Sequence, residues 1–315
     1  MTAAERRRGV ALCVVSACGF GLMAIFAKEA YAAGLGVTSL LAARFVVAAA
    51  VFWAIVAARP AVARPPLRLA GACLALGGAG YAAQAGLFFS ALRHIDASLT
   101  SLLLYTYPAL VFCVAVALGR EHFTPWKAAA LVLASGGAAL VLLGGGTGGL
   151  EATGVLLALG AALSYTTYIL VADGIVGRVD PFLLGALVTT GAAATFLVAG
   201  AAGGALHFTG GGWIWIAAIA IVSTVLPIVT FVLGMKSVGA ATASIVSTVE
   251  PVVTVTLAVL LFGEGLGPLQ VLGGVLVLAA VVALQARGLS TVGRRVPPDH
   301  ATALAAARTP AGEAA

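Results

Sequence analysis

Ten apolar runs, each close to the thickness of a lipid bilayer, follow one another along this chain. They cover Val10–Ala27, Thr38–Ala58, Leu69–Leu92, Ala97–Gly119, Ala128–Gly144, Ala152–Ala172, Pro181–Ala202, Trp213–Met235, Val238–Phe262 and Pro268–Leu284. A hydrocarbon core about 30 Å thick needs roughly 20 helical residues to cross it. No water completes backbone hydrogen bonds there, so only helices and closed barrels cross. The runs are continuous rather than alternating and too long for barrel strands, which selects helices. Charged residues make up 9% of the chain, against roughly 25% in soluble domains. The predicted class is all-α integral membrane, with ten transmembrane helices. The spans take about 200 residues of the 315, which leaves no room for a large soluble domain. The 40 glycines suit this class, because small side chains let helix backbones approach closely in lipid.

The remaining charges are placed one-sidedly. With the N-terminus inside, the inner segments hold 14 Lys and Arg residues and the outer ones only Lys28 and Arg93. That asymmetry predicts both termini in the cytoplasm. It also accounts for the net charge of +6 without a nucleic-acid partner. Arg6-Arg7-Arg8 resembles the start of a secretory leader, and Val15-Ser16-Ala17-Cys18 resembles a lipoprotein cleavage site. The run continues uncharged to Ala27, long enough for a true first span. Cys13, Cys18, Cys73 and Cys113 all lie inside apolar runs and read as free buried thiols. They and the scattered His94, His122, His207 and His300 show no metal-ligand spacing, and no cofactor is implied. From Gly288 onward Pro, Arg, Thr and Ala predominate, which predicts a disordered cytoplasmic tail over 288–315.

The two halves match at a fixed offset of 143 residues. Ser101 pairs with Ser244, Pro108 with Pro251, Glu121 with Glu264, and Pro125 with Pro268. Small aliphatics match by chance in such a chain, but prolines and a glutamate in register do not do so readily. The expected units are residues 1–148 and 149–287, each with five spans. Five is odd, so the second unit must enter the membrane from the opposite face. Two inverted five-helix repeats are the architecture of secondary carriers with a midplane site.

The motifs in register carry a resemblance. Leu103-Leu104-Tyr105-Thr106-Tyr107-Pro108 followed by Leu118-Gly119-Arg120-Glu121 resembles the fourth span of the drug/metabolite transporter superfamily, EamA type. Ser247-Thr248-Val249-Glu250-Pro251-Val252-Val253 with Leu261-Phe262-Gly263-Glu264 resembles the ninth, and Ala42-Ala43-Arg44-Phe45 the second. Phe20 departs from the family, which often has tryptophan there, and so does Glu121-His122. The resemblance spans residues 10 to 285. It implies a ten-helix, export-type carrier of small metabolites in a bacterial inner membrane, with a central cavity between its halves.

Intramembrane ionisable groups are functional candidates by default. Glu250 lies near the middle of its span. It binds a substrate amine or takes up a proton, or else it pairs structurally with Arg44 or stays protonated. Arg44 either holds a substrate carboxylate bidentately or snorkels to the outer interface. Tyr81, Gln84, Tyr105, Tyr107 and Tyr165 are the further candidates for a polar cavity wall. Pro108 and Pro251 each remove a helix hydrogen bond, and their equivalent placement predicts paired hinges. The patches Ser223-Thr224 and Tyr165-Thr166-Thr167-Tyr168 line a cavity or bond their own helices. Lys28 reads as an interfacial anchor. Glu121 and Glu264 end helices where the macrodipole opposes them, so each is expected to have a partner that closes a loop.

These features favour gradient-driven export of amino acids or other small metabolites, with proton coupling through Glu250. An importer on the same fold, a membrane enzyme and a receptor are the alternatives. Against an enzyme, no Gly-x-Ser-x-Gly or His-Glu-x-x-His motif is present. Gly234-Met235-Lys236-Ser237 lacks the order of an ATP-binding loop.

Overall fold

The computed structural model describes residues 3–59, 62–119, 125–144, 151–175 and 177–292. Among these the protein is all helix. Eight helical stretches are long and apolar enough to cross a membrane, and two shorter apolar helices, Ala128–Gly144 and Pro268–Ala283, complete a set of ten. In chain order the helices are α1 (Ala3–Ala32), α2 (Val37–Ala57), α3 (Leu67–Ala75), α4 (Ala82–Ala91), α5 (Ala97–Leu104), α6 (Tyr107–Ala117) and α7 (Pro125–Gly144). The second half has α8 (Ala152–Ala172), α9 (Pro181–Ala202), α10 (Trp213–Ala217), α11 (Leu226–Val238), α12 (Ala240–Ser247), α13 (Val249–Phe262) and α14 (Pro268–Val292). Residues 288–292, expected to be irregular, continue α14 as helix. The remainder of the expected tail, 293–315, lies outside the described residues.

Four spans are not plain α-helices, and they pair across the repeat. The third span passes from α3 to α4 through a π-helical segment, Leu76–Tyr81, and the eighth from α10 to α11 through another, Ala218–Val225. Pro227 follows the second segment. Its missing N–H cannot reach the carbonyl four residues back, so the ladder re-registers upstream. The fourth span breaks at Tyr105-Thr106 and the ninth at Thr248. The expected kinks thus take a different form. Pro108 stands in the first turn of the new helix α6, where its N–H would have no intrahelical partner. At each break a threonine hydroxyl takes the carbonyl three residues back, Thr106 to Leu103 and Thr248 to Ile245, both at 2.7 Å.

Glycines set the helix crossings. A Cβ on Gly77 would collide with the Val188 backbone, and one on Gly191 with the Leu74 carbonyl, so the third span crosses α9 backbone to backbone. Gly137 and Gly273 do the same for α7 and α14. Sequence equivalents run antiparallel: the end of α2 meets the start of α9 through Arg59 and Asp180, 2.9 Å apart, and Gly144 at the end of α7 packs on Leu269 and Gln270. Asp180 also caps α9, accepting from the Phe182 and Leu183 N–H groups.

Lys28 is a cross-link rather than a free interfacial anchor. It lies 3.6 Å from Glu264 and 4.0 Å from Asp96. Gly263, at φ 67°, ends α13 in the left-handed conformation and reverses the chain. The Glu264 carboxylate then accepts from the Ala97 and Ser98 N–H groups, each at 2.9 Å. Unfavourable at the end of its own helix, it sits at the positive start of α5 instead. Glu121, its equivalent, lies outside the described residues.

Replacing Gly77 with Val is expected to lower the melting temperature in detergent sharply, because the obstacle is backbone and cannot yield. Gly71→Ala, in open space within α3, is expected to leave it unchanged or raise it; thermal scans of both variants check this. Burial disfavours ionisation of Asp180, but Arg59 and the two N–H groups outweigh it and hold its pKa below the ordinary 3.8. A lowered pKa stabilises the fold above the ordinary value and loses that effect as pH falls through the native one. Asp180→Ala is therefore expected to cost about 0.5–2 kcal/mol at neutral pH. The gap from the unaltered protein should close in acid, as read from melting curves across pH.

Candidate functional site

A cavity of about 100 Å³ lies between the first, second, third, fourth, sixth and ninth spans. Arg44, Tyr81, Gln84, Tyr165 and Glu250 supply most of its polar wall. Phe20, Met23, Phe88 and Phe89 supply much of its apolar wall. Five of the seven residues singled out from the sequence thus face one space. Tyr105 and Tyr107 stand behind that wall in ring contact, their centroids 5.9 Å apart.

Arg44 is 1% exposed. Snorkelling to the interface is therefore overturned: the guanidinium stays inside. Its Nε donates to the Thr224 hydroxyl at 2.9 Å and its Nη2 to the Tyr81 hydroxyl at 3.3 Å. Its Cζ lies 4.8 Å from the Phe45 ring centroid and 5.2 Å from that of Phe89, a placement that favours a cation. Among the described residues no carboxylate forms an ion pair with Arg44. The structural pairing of Arg44 with Glu250 is overturned too.

Glu250 occupies the first turn of α13. The break at Thr248 creates a helix N-terminus within the membrane, and there the helix dipole favours a carboxylate. Pro251 cannot donate to the Ser247 carbonyl, and the Tyr105 hydroxyl takes that place at 3.1 Å.

The tyrosines form a continuous aromatic line. Ring centroids run from Tyr107 to Tyr165 at 4.6 Å, on to Tyr168 at 6.0 Å, to Tyr81 at 5.6 Å and to Phe45 at 5.4 Å. Thr166 and Thr167 bond carbonyls of their own helix, at Ala162 and Leu163. Thr224 was singled out only as part of a polar patch, and its contact with Arg44 was not anticipated. The available signal was its position, 143 residues after Tyr81. Thr254 and Phe88 line the cavity with no mark in the sequence to distinguish them. Among the described residues no group of three His, Cys, Asp or Glu side chains is placed to hold a metal.

On the face bearing Lys28, the end of the site is covered by further contacts. The Tyr31 hydroxyl donates to the Phe89 carbonyl at 2.8 Å, and the Arg93 guanidinium lies 5.7 Å from the Tyr31 ring centroid. His94 and Glu151 are 2.7 Å apart nearby.

Comparisons with known proteins agree with this architecture. A protein of Bacillus subtilis (strain 168) described as "Uncharacterized transporter YcbK" is 26% identical over 304 residues, covering 91% of this chain and 96% of its own. A crystal structure of a protein with 22% identity superposes with a TM-score of 0.63, over 89% of this chain and 98% of the other, a likeness of fold. The sequence pattern of the EamA-like transporter family matches twice, at residues 7–143 and 152–285. With both matches spanning nearly all of the bundle, the chain belongs to the EamA-like transporter family: it is a multi-pass membrane transporter and not an enzyme.

Proposed function

We propose that the protein is a gradient-driven secondary carrier that exports amino acids or other small metabolites by alternating access. The observation that carries this reading is a single cavity holding a buried guanidinium without a carboxylate partner and, on another wall, a carboxylate at a half-helix N-terminus. A zwitterion complements both. Its carboxylate goes to Arg44, its ammonium to Glu250, and its side chain to the apolar wall around Phe20, Met23 and Phe88. Tyr107, Tyr105 and Tyr165 back the Glu250 side.

Proton coupling has a local mechanism. When Glu250 is ionised, its charge holds the substrate ammonium at the cavity wall. When it is protonated, that charge is gone and the ammonium loses its partner. One proton on Glu250 thereby releases the substrate ammonium, in the turn that follows the Tyr105–Ser247 bond joining the two broken spans. Pro108 and Pro251 make those breaks the hinges. The pairing of equivalent helices in antiparallel supports an inverted repeat of 1–148 and 149–287, whose halves exchange roles between inward and outward states. The Lys28–Glu264–α5 contacts then close the outer face. The Lys and Arg distribution and a bacterial relative support a bacterial plasma-membrane location with both termini in the cytoplasm.

Proteoliposomes loaded with a mixture of radiolabelled L-amino acids test this reading. Glu250→Gln is expected to abolish stimulation of efflux by a pH gradient and to weaken solute exchange, since the ammonium loses its partner, while the elution profile persists. Retained pH-gradient dependence would remove Glu250 from the coupling. Arg44→Lys keeps the charge but loses the planar fork. It is expected to raise the apparent KM for amino acids about tenfold or more, consistent with loss of a charge-assisted hydrogen bond.

A further inference from the structure

The guanidinium of Arg44 is held by one residue from each half of the protein, and the two are sequence equivalents. Tyr81 ends the π segment Leu76–Tyr81, and Thr224 lies near the end of Ala218–Val225, 143 residues later. Within the π turn, the Ile219 carbonyl five residues back accepts the Thr224 hydroxyl hydrogen at 2.8 Å. That hydrogen is committed to the backbone, so the Thr224 oxygen faces Arg44 as an acceptor only. A donor cation satisfies it and a neutral acceptor does not. Nε is engaged by Thr224 and Nη2 by Tyr81. Nη1 and the second Nη2 hydrogen have no protein acceptor among the described residues, and Arg44 lines the cavity.

We propose that Tyr81 and Thr224 are positioning residues that lock the plane of the Arg44 guanidinium and aim its outer N–H groups into the cavity, making the site selective for the two-oxygen head of a carboxylate over a spherical anion. This rests on the reading of Arg44 as the seat of the solute's carboxylate. The wide turns in the third and eighth spans acquire a purpose from it. A regular α-helical turn at 218–225 would not bring the Ile219 carbonyl to the Thr224 hydroxyl in the same way, and the acceptor would lose its orientation. Because one holder comes from each half, relative movement of the halves alters the grip, so affinity for the carboxylate depends on which way the carrier faces.

The test uses the full-length protein in lipid nanodiscs, labelled with ¹⁵N-arginine. Arg44 signals are assigned by their loss in Arg44→Lys. Acetate and chloride are the probes. In the unaltered protein acetate is expected to shift the Arg44 Nη signals at a concentration at least tenfold below that needed for chloride. Thr224→Val and Tyr81→Phe are each expected to raise the half-saturating acetate concentration about tenfold and to bring it close to that of chloride. Thr224→Ser, which keeps the hydroxyl, should restore the native value. If Thr224→Val does not fold, Tyr81→Phe carries the comparison alone, since it removes one oxygen and keeps the ring. An acetate preference in the unaltered protein that persists in the folded variants would overturn the positioning role and leave the carboxylate reading intact. Arg44 signals insensitive to acetate in the unaltered protein would overturn the carboxylate reading and this inference with it.

Discussion

A guanidinium buried within a bilayer, with no carboxylate beside it, sets the terms for everything around it. Placing such a charge within a span is costly, reaching about 2.5–3.5 kcal/mol at the centre on insertion scales. The surroundings of Arg44 offset that cost without neutralising the charge. Two neutral hydroxyls accept from it and two aromatic faces lie against it. An acid in direct contact would have cancelled its field. Neutral partners leave the field pointing into the cavity.

The carboxylates follow a complementary rule. Glu250 and Glu264 both sit at the N-terminal end of a helix in the membrane region, one at its own broken helix and one at a neighbour's. In each case unpaired N–H groups and the helix dipole provide the positive environment. Interrupting the fourth and ninth spans therefore does two things at once. It creates the pole that receives Glu250, and it releases the Ser247 carbonyl that receives Tyr105. Chain geometry and site electrostatics are one design feature here.

Much of this was legible in the sequence, because the bilayer imposes a length and a polarity that soluble folds lack. The spans Ala152–Ala172 and Pro181–Ala202 were read to the residue. Clustering of Arg44, Tyr81, Gln84, Tyr165 and Glu250 followed from asking which polar groups lipid would not tolerate. What stayed hidden was direction. Arg44 lies close enough to the helix start for either exit, and only its neighbours on other spans decide between them. The π segments were equally invisible: their residues are ordinary helix formers in lipid, and the features beside them, a proline after the second and the tight crossing of Gly77 on Val188 at the first, do not by themselves announce a wider turn. The Glu264 cap depended on where a distant helix begins, which no local pattern encodes.

The chain has six tyrosines, and every one lines the cavity or touches a residue that does. Tyr31 reaches it through Phe89, Tyr105 through Ser101, and Tyr107 and Tyr168 through Tyr165. None of the four tryptophans is among the cavity's described lining. The phenol chromophores are thus segregated from the indoles by the architecture itself. Tyrosine bands in ultraviolet resonance Raman spectra of the unmodified protein therefore report on the cavity and the residues around it, with no label introduced.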